Sequence, residues 1–174
     1  MTKRPSVREA RTEDAIRIQE VARASWHAAY DSIIGRETVT ALVNSWFDPT
    51  KLDSDDIRPA ERPFFVAEIE GEVVGVAEGL PGDDEKTFHL YRIYVLPEQW
   101  GEQIGSTLLE RVESETRVRS GTHLRLSVFT ANDIAVHFYE SRGFERIETT
   151  TDETFNARRH RYRKALENKS CRHQ

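Results

Sequence analysis

A chain of 174 residues, 37% hydrophobic and 32% charged, has the size and polarity of one domain and is long enough to bury a core without disulfide or metal staples. Its formal net charge of -5 argues against a general nucleic-acid binder, which needs a basic face, and no run approaches the roughly 18 apolar residues of a membrane helix. The opening MTKRPSVREA has no apolar leader region and Cys171 is the single cysteine, so a cytoplasmic, disulfide-free protein is expected, with neither membrane nor metal involved.

The predicted elements follow in chain order. Residues 6–9 form a short opening strand, after which Thr12 is placed to cap a helix whose first turn carries Glu13 and Asp14. Ile18, Val21, Ala22, Ser25, Trp26 and Ala29 recur at helical spacing, and Gly35 breaks the chain. A second helix over 37–47 carries Val39, Leu42, Val43 and Trp46; Trp26, Tyr30 and Trp46 read as core or cleft-wall aromatics. Residues 48–62 are acidic and proline-marked, a loop that serves either as a solvated connection or as a rim attracting a cationic amine. Strands at 64–69 and 73–80 flank Glu70-Gly71, which predicts a hairpin.

Residues 88–119 organise the rest. Phe88, Leu90, Tyr91, Ile93, Tyr94, Val95 and Leu96 make a buried strand ended by Pro97, and Ile104, Leu108, Leu109 and Val112 mark a helix with Gly121 as its stop. The intervening turn holds Gly101 and Gly105, so a strand delivers its backbone into the first turn of a helix. There the unpaired NH groups and the positive dipole end suit a phosphate; the alternative is merely a tight turn. A second apolar strand at 124–128, a helix at 133–141 and strands at 145–151 and 154–164 complete the chain before a loose tail at about 167–174. The basic run of Arg158, Arg159, His160, Arg161, Arg163 and Lys164 reads as an edge strand blunted by charge, with RNA association as the alternative.

VLPEQWGEQIGSTLL and VFTANDIAVHFYESRGF together resemble the two central motifs of the GCN5-related N-acetyltransferase (GNAT) superfamily. In the second, Asn132, Ala135, Phe138, Tyr139, Gly143 and Phe144 stand at the family's spacing; in the first, Trp100 replaces the usual Arg or Gln and Gln103 replaces a glycine. The resemblance spans about residues 6–164 and implies one N-acetyltransferase domain of α+β class over 1–174. Its expected sheet is mixed but mostly antiparallel, of about six to seven strands flanked by helices, and splayed at the two central strands to admit a pantetheine arm.

Acetylation from a thioester needs a neutral amine, and a lysine-like amine of pKa about 10.4 costs roughly 4.6 kcal/mol to deprotonate at pH 7. The resemblance implies that Ile93, Tyr94 and Val95 bind the pantetheine of acetyl-CoA through their backbones, that Gly101, Glu102, Gln103, Ile104, Gly105 and Ser106 cradle its pyrophosphate, and that Asn132 bonds the pantetheine arm or nearby backbone. It also implies that Tyr139 is the general acid for the departing sulfur, unless it is simply a core aromatic. Some relatives carry a carboxylate base where this chain has Ser127; others place a base where His89 stands. His89, Glu78, Tyr91 or a water chain are the open alternatives for the base. The acceptor is an amine, small molecule or protein, with no nucleic-acid or membrane partner and a homodimer compatible. The alternative function is a non-catalytic acyl-CoA-binding module.

Overall fold

The computed structural model describes residues 4–52, 57 and 61–167. Seven strands run β1 (Ser6–Glu9), β2 (Phe64–Ile69), β3 (Glu72–Pro81), β4 (Thr87–Val95), β5 (His123–Phe129), β6 (Glu145–Asp152) and β7 (Ala157–Ala165), in sheet order β1-β2-β3-β4-β5-β7-β6. The helices are α1 (Ala15–Ile34), α2 (Arg36–Trp46), the single turn α3 (Pro49–Lys51), α4 (Ile104–Val118) and α5 (Asp133–Glu140). The expected α+β class, with a mostly antiparallel sheet flanked by helices, is the observed one. Among the described residues no helix is long and apolar enough to cross a membrane.

The chain divides into two compact units, residues 1–80 with 91–112 and residues 81–90 with 113–174. In the first, β1 and β2 pair antiparallel and β2 pairs with β3 across the predicted hairpin. Glu70 and Gly71 take φ of 53° and 81°, two successive left-handed residues that match the twist of the flanking strands. Ile18, Val21, Ala22 and Trp26 of α1 and Val39 and Val43 of α2 are buried, as their spacing required. Gly75 of β3 lets α4 lie close: a Cβ there would stand 2.9 Å from Leu108 Cδ1 and 3.2 Å from Ile104 Cγ2.

In the second unit, β4 and β5 are parallel but pair only at Thr87–His123, Phe88–Leu124 and His89–Arg125. β5 continues alongside β7 as far as Phe129–Arg159, and β6 pairs with β7 on its other side. Leu124, Leu126, Val128 and Tyr162 are buried while Arg125, Ser127, Arg161 and Arg163 are exposed, so one face of this unit's sheet is apolar and the other cationic.

Several expectations need correction. The chain enters α1 through a 3-10 turn, Thr12–Asp14, and Asp14 rather than Thr12 is the organising residue. Its carboxylate accepts from the Arg11 amide at 2.7 Å and from Arg8 at 2.8 and 2.9 Å. The loop after α2 is partly structural: Asp48 caps α3 by accepting from the Thr50 amide at 2.9 Å, and Leu52 and Ile57 are buried. Residues 53–56 and 58–60 of that loop, and 168–174 of the tail, lie outside the described residues. Of the aromatics read as core or cleft-wall, Trp26 is buried, Tyr30 half-buried and Trp46 41% exposed, so they divide between those two places. At the end of α4 the left-handed residue is Ser120, φ 66°; Gly121 is needed because a Cβ would meet Thr116 Cγ2 at 2.5 Å and Phe88 Cδ2 at 2.8 Å. Finally, β7 is not an edge strand. Two of its arginines pair with acids instead, Arg159 with Asp152 at 3.0 Å and Arg161 with Glu148, while Lys164 reaches Glu113 at 2.7 Å. The edge belongs to β6.

Candidate active site

Within the first unit, β4 delivers Ile93, Tyr94 and Val95 toward a 3-10 turn, Pro97–Gln99, and then into α4. Ile93 and Tyr94 are half-buried and Val95 is buried. Two bonds hold the strand end: the Leu96 amide donates to the Val74 carbonyl at 2.9 Å, and the Trp100 indole Nε1–H donates to the Val95 carbonyl at 2.9 Å. Trp100, in place of the expected Arg or Gln, therefore works as a brace between the strand and the turn. Nothing in the sequence announced that bond.

The turn itself alternates its backbone. Gly101 has φ 86° and Gln103 has φ 65°, so Gln103 adopts the left-handed conformation of the glycine it replaces. Such alternation aims successive amides toward one concave side, a backbone nest for an anion. Gly101, Glu102 and Gln103 are exposed, and no atom stands within 4 Å of a Cβ built on Gly101. The Gln103 carbonyl accepts the first bond of α4 from the Thr107 amide at 3.0 Å, and the Thr107 hydroxyl donates to it at 2.8 Å. Ile104, Gly105 and Ser106 thus occupy the first helical turn, at the positive end of the helix dipole. Ile104 is buried and anchors the turn, while Gly105 and Ser106 are half-buried. A strand end, a nest and a fifteen-residue helix N-terminus coincide, which suits a pyrophosphate.

Aromatic rings line α1, α2 and β4 in the same unit. Trp26 lies 4.7 Å from Tyr30, 5.7 Å from Trp46 and 6.0 Å from Tyr94, and Tyr94 packs edge-on against Phe47 at 5.5 Å. Burial pushes the Tyr94 hydroxyl well above its ordinary pKa, which leaves it neutral. Beneath them Glu78 is fully buried between Arg92 at 3.4 Å and Arg62 at 3.3 Å. Arg92 in turn stacks on Phe47 at 4.6 Å and donates to the Trp46 carbonyl at 3.3 Å. Two arginines around one carboxylate make Glu78 a structural counter-ion. Tyr91, another weak candidate for the base, is 52% exposed.

Within the second unit, Asn132 caps α5: its Oδ1 accepts from the Ala135 amide at 3.1 Å. Tyr139 follows seven residues later, two helical turns on, so both side chains share one side of α5. Tyr139 is buried, with its ring 5.2 Å from Phe138 and 5.6 Å from Phe144, which fixes the ring plane. His89 stands at the start of β4, half-buried and packed over Gly82, where a Cβ would lie 3.2 Å from His89 Nε2. Burial lowers its pKa, and the nearby Arg125 lowers it further, so the imidazole is neutral at neutral pH and can accept a proton. The structure thus gathers the expected cofactor residues 93–95 and 101–106 in one unit, and Asn132, Tyr139 and His89 in the other. Among the described residues no group of three or more His, Cys, Asp and Glu is placed to hold a metal.

Comparison with known proteins finds acetyltransferases in both sequence and fold. The profile described as "Acetyltransferase (GNAT) family" matches residues 19–144. The chain is 28% identical over 152 residues to a spermidine N(1)-acetyltransferase of Thermoplasma acidophilum, covering 86% of this chain and 92% of that one. Among solved structures, the PaiA N-acetyltransferase of Thermoplasma acidophilum in complex with coenzyme A superposes with a TM-score of 0.83 at 25% identity, covering 93% of this chain and 99% of that one. A GCN5-related N-acetyltransferase from Rhodopseudomonas palustris shares the fold with a TM-score of 0.76 at 23% identity over 95% and 99% of the two chains. With the family profile covering well over half its length, this chain belongs to the GNAT family of acetyltransferases.

Proposed function

We propose that the protein transfers the acetyl group of acetyl-CoA to a primary amine by direct attack on the thioester, as one cytoplasmic domain. The observation that carries this reading is the nest at Gly101 and Gln103 on the N-terminus of α4, with the braced end of β4 beside it in the same unit. The amides of residues 101–106 take the pyrophosphate. Main-chain groups of Ile93, Tyr94 and Val95 hold the pantetheine, and an amide of that strand end polarises the thioester carbonyl as it gains charge. The neutral amine attacks the carbonyl carbon, the C–S bond breaks, and the Tyr139 hydroxyl gives its proton to the departing thiolate. His89, neutral and half-buried, receives the amine proton directly or through water. The relative named for spermidine supports an amine acceptor without fixing which one.

Calorimetric titration with acetyl-CoA, repeated with dephospho- and desulfo-coenzyme A, tests the binding half of the proposal. Micromolar affinity that weakens in Gly101→Val is expected, because φ of 86° is strained for a β-branched residue; undiminished affinity would remove the nest from the site. For the chemical half, Tyr139→Phe should slow coenzyme A release by about 10²-fold or more while acetyl-CoA binding stays unchanged. An unaltered rate would return Tyr139 to the status of a core aromatic.

A further inference from the structure

The exposed face of the second unit's sheet carries a charge arrangement that acetyl transfer by itself does not require. Residues in register across three strands form one row: His89 on β4 faces Arg125 on β5, and Arg125 faces Arg163 on β7. Two residues further along, Ser127 faces Arg161. Like charges directly opposite in a ladder repel, so the Arg125–Arg163 pair is a cost to the sheet unless something neutral or anionic screens it.

The nearby acids offset it only in part. Glu148 pairs with Arg161, and Asp152 with Arg159. Asp84 holds its own turn, accepting from the Lys86 amide at 2.8 Å and the Thr87 hydroxyl at 3.0 Å, and it also feels the positive charge of Arg125, while Asp83 and Asp84 favour His89 protonation less strongly than Arg125 disfavours it. Glu145 is the register neighbour of Arg163 on the outer strand. Among the described residues neither guanidinium, of Arg125 or of Arg163, makes a side-chain hydrogen bond or close ion pair. Burial is the main cause of the low His89 pKa, and Arg125 is the largest charge acting on it, ahead of the opposing Asp83.

We infer that Arg125 and Arg163, with the Ser127 hydroxyl beside them, form a subsite for an oxyanion, so that the acceptor is an amine that also carries a carboxylate or a phosphate. Guanidinium forks are suited to either group, offering two parallel donors to a planar carboxylate or a phosphate edge. The two arginines share a row with His89, the group that would take the amine proton, so amine and anion would be close together in the acceptor. A polycation would meet uncompensated positive charge here. The inference rests on the acetyl-transfer reading for its link to turnover, but the anion site itself can be measured without turnover.

Two readouts keep those apart. In the first, the imidazole NMR resonance of His89 is followed while inorganic phosphate is titrated against sodium chloride at constant ionic strength. A saturable shift at millimolar phosphate that is lost in Arg125→Ala is expected, and no saturable shift in the native protein would overturn the subsite. In the second, coenzyme A release is compared for matched amines: lysine against cadaverine, and phosphoethanolamine against ethanolamine. The anionic member of at least one pair should be favoured about tenfold or more in kcat/KM, and which pair shows it tells carboxylate from phosphate. Arg125→Ala should abolish that preference by raising KM more than it lowers kcat, Arg125→Lys should restore part of it, and acetyl-CoA affinity should stay constant. Preference for the cationic members, or a preference indifferent to Arg125, would overturn the inference. If acetyl-CoA binds but none of the four amines reacts, the phosphate titration still decides the subsite and the failure lies with the transfer reading.

Discussion

Gln103 shows how one residue can keep a glycine's job without being a glycine. At φ 65° it lies in the left-handed region, where a side chain costs roughly 1–2 kcal/mol relative to the right-handed one. Gln103→Gly should therefore raise stability by at most about 1 kcal/mol, because the added freedom of glycine in the unfolded chain offsets part of the relief. Urea midpoints measure this, and acetyl-CoA affinity should hold or improve; a clear loss of either would mean that the Gln103 side chain contributes something of its own. His89 sets a second expectation. Its folded pKa lies below the ordinary value of about 6.5, so between those two values the unfolded chain binds more protons than the native one. Stability is then lost as pH falls through about 6.5 toward the depressed value, and His89→Gln should flatten that part of a denaturation-versus-pH curve. If His89 is also the base, the acid limb of the kcat/KM profile sits below pH 6.5 and disappears in the same variant. The capping of α5 by Asn132 was seen only in the structure, while the helix itself, which carries Tyr139, was legible at this scale. The Trp100 brace and the Arg125–Arg163 row were not, because each depends on a partner brought together by strand geometry rather than by adjacency in sequence.

Elements whose boundaries depend on local chemistry came out as read. β1, the β2–β3 hairpin and the two-turn α5 match their predicted spans within a residue or two, since turn residues, caps and periodicity act over a few positions. β7 did not, and the reason is instructive. Six basic residues in one strand resemble the protection of an open edge, yet strand order is a property of the whole sheet, and here β6 lies outside β7 and supplies Glu148 and Asp152. Helix α4 depends on an equally nonlocal feature, the missing side chain at Gly75. Gly75→Ala would place a methyl 2.9 Å from Leu108 Cδ1 and 3.2 Å from Ile104 Cγ2, pressing on the first turns of the helix that carries the nest. Overpacking of this kind costs about 1–3 kcal/mol, so a lower thermal midpoint and weaker acetyl-CoA binding are expected together. A change in stability alone would show that the nest is held by the Gln103–Thr107 contacts rather than by helix position.

At the scale of the molecule, neither compact unit is a continuous segment. β4 passes from residues 87–90 in one to 91–95 in the other, and α4 from 104–112 to 113–118. A single cooperative unfolding transition is expected, with calorimetric and van't Hoff enthalpies equal; two separated transitions would overturn that expectation. Acetyl-CoA at about 100 times its dissociation constant should add about 2.7 kcal/mol to that one transition. What the sequence determined by itself is the element order, the strand-turn-helix with its glycines, the Asn132 and Tyr139 spacing and, through them, the family. All are written in short-range periodicity and turn chemistry. What only the tertiary structure decided is which strand is the edge, that Gln103 bends as a glycine would, that Trp100 ties the turn to Val95, and that Arg125 faces Arg163 beside His89. Those facts depend on register and close approach between segments far apart in the chain, which no local pattern encodes.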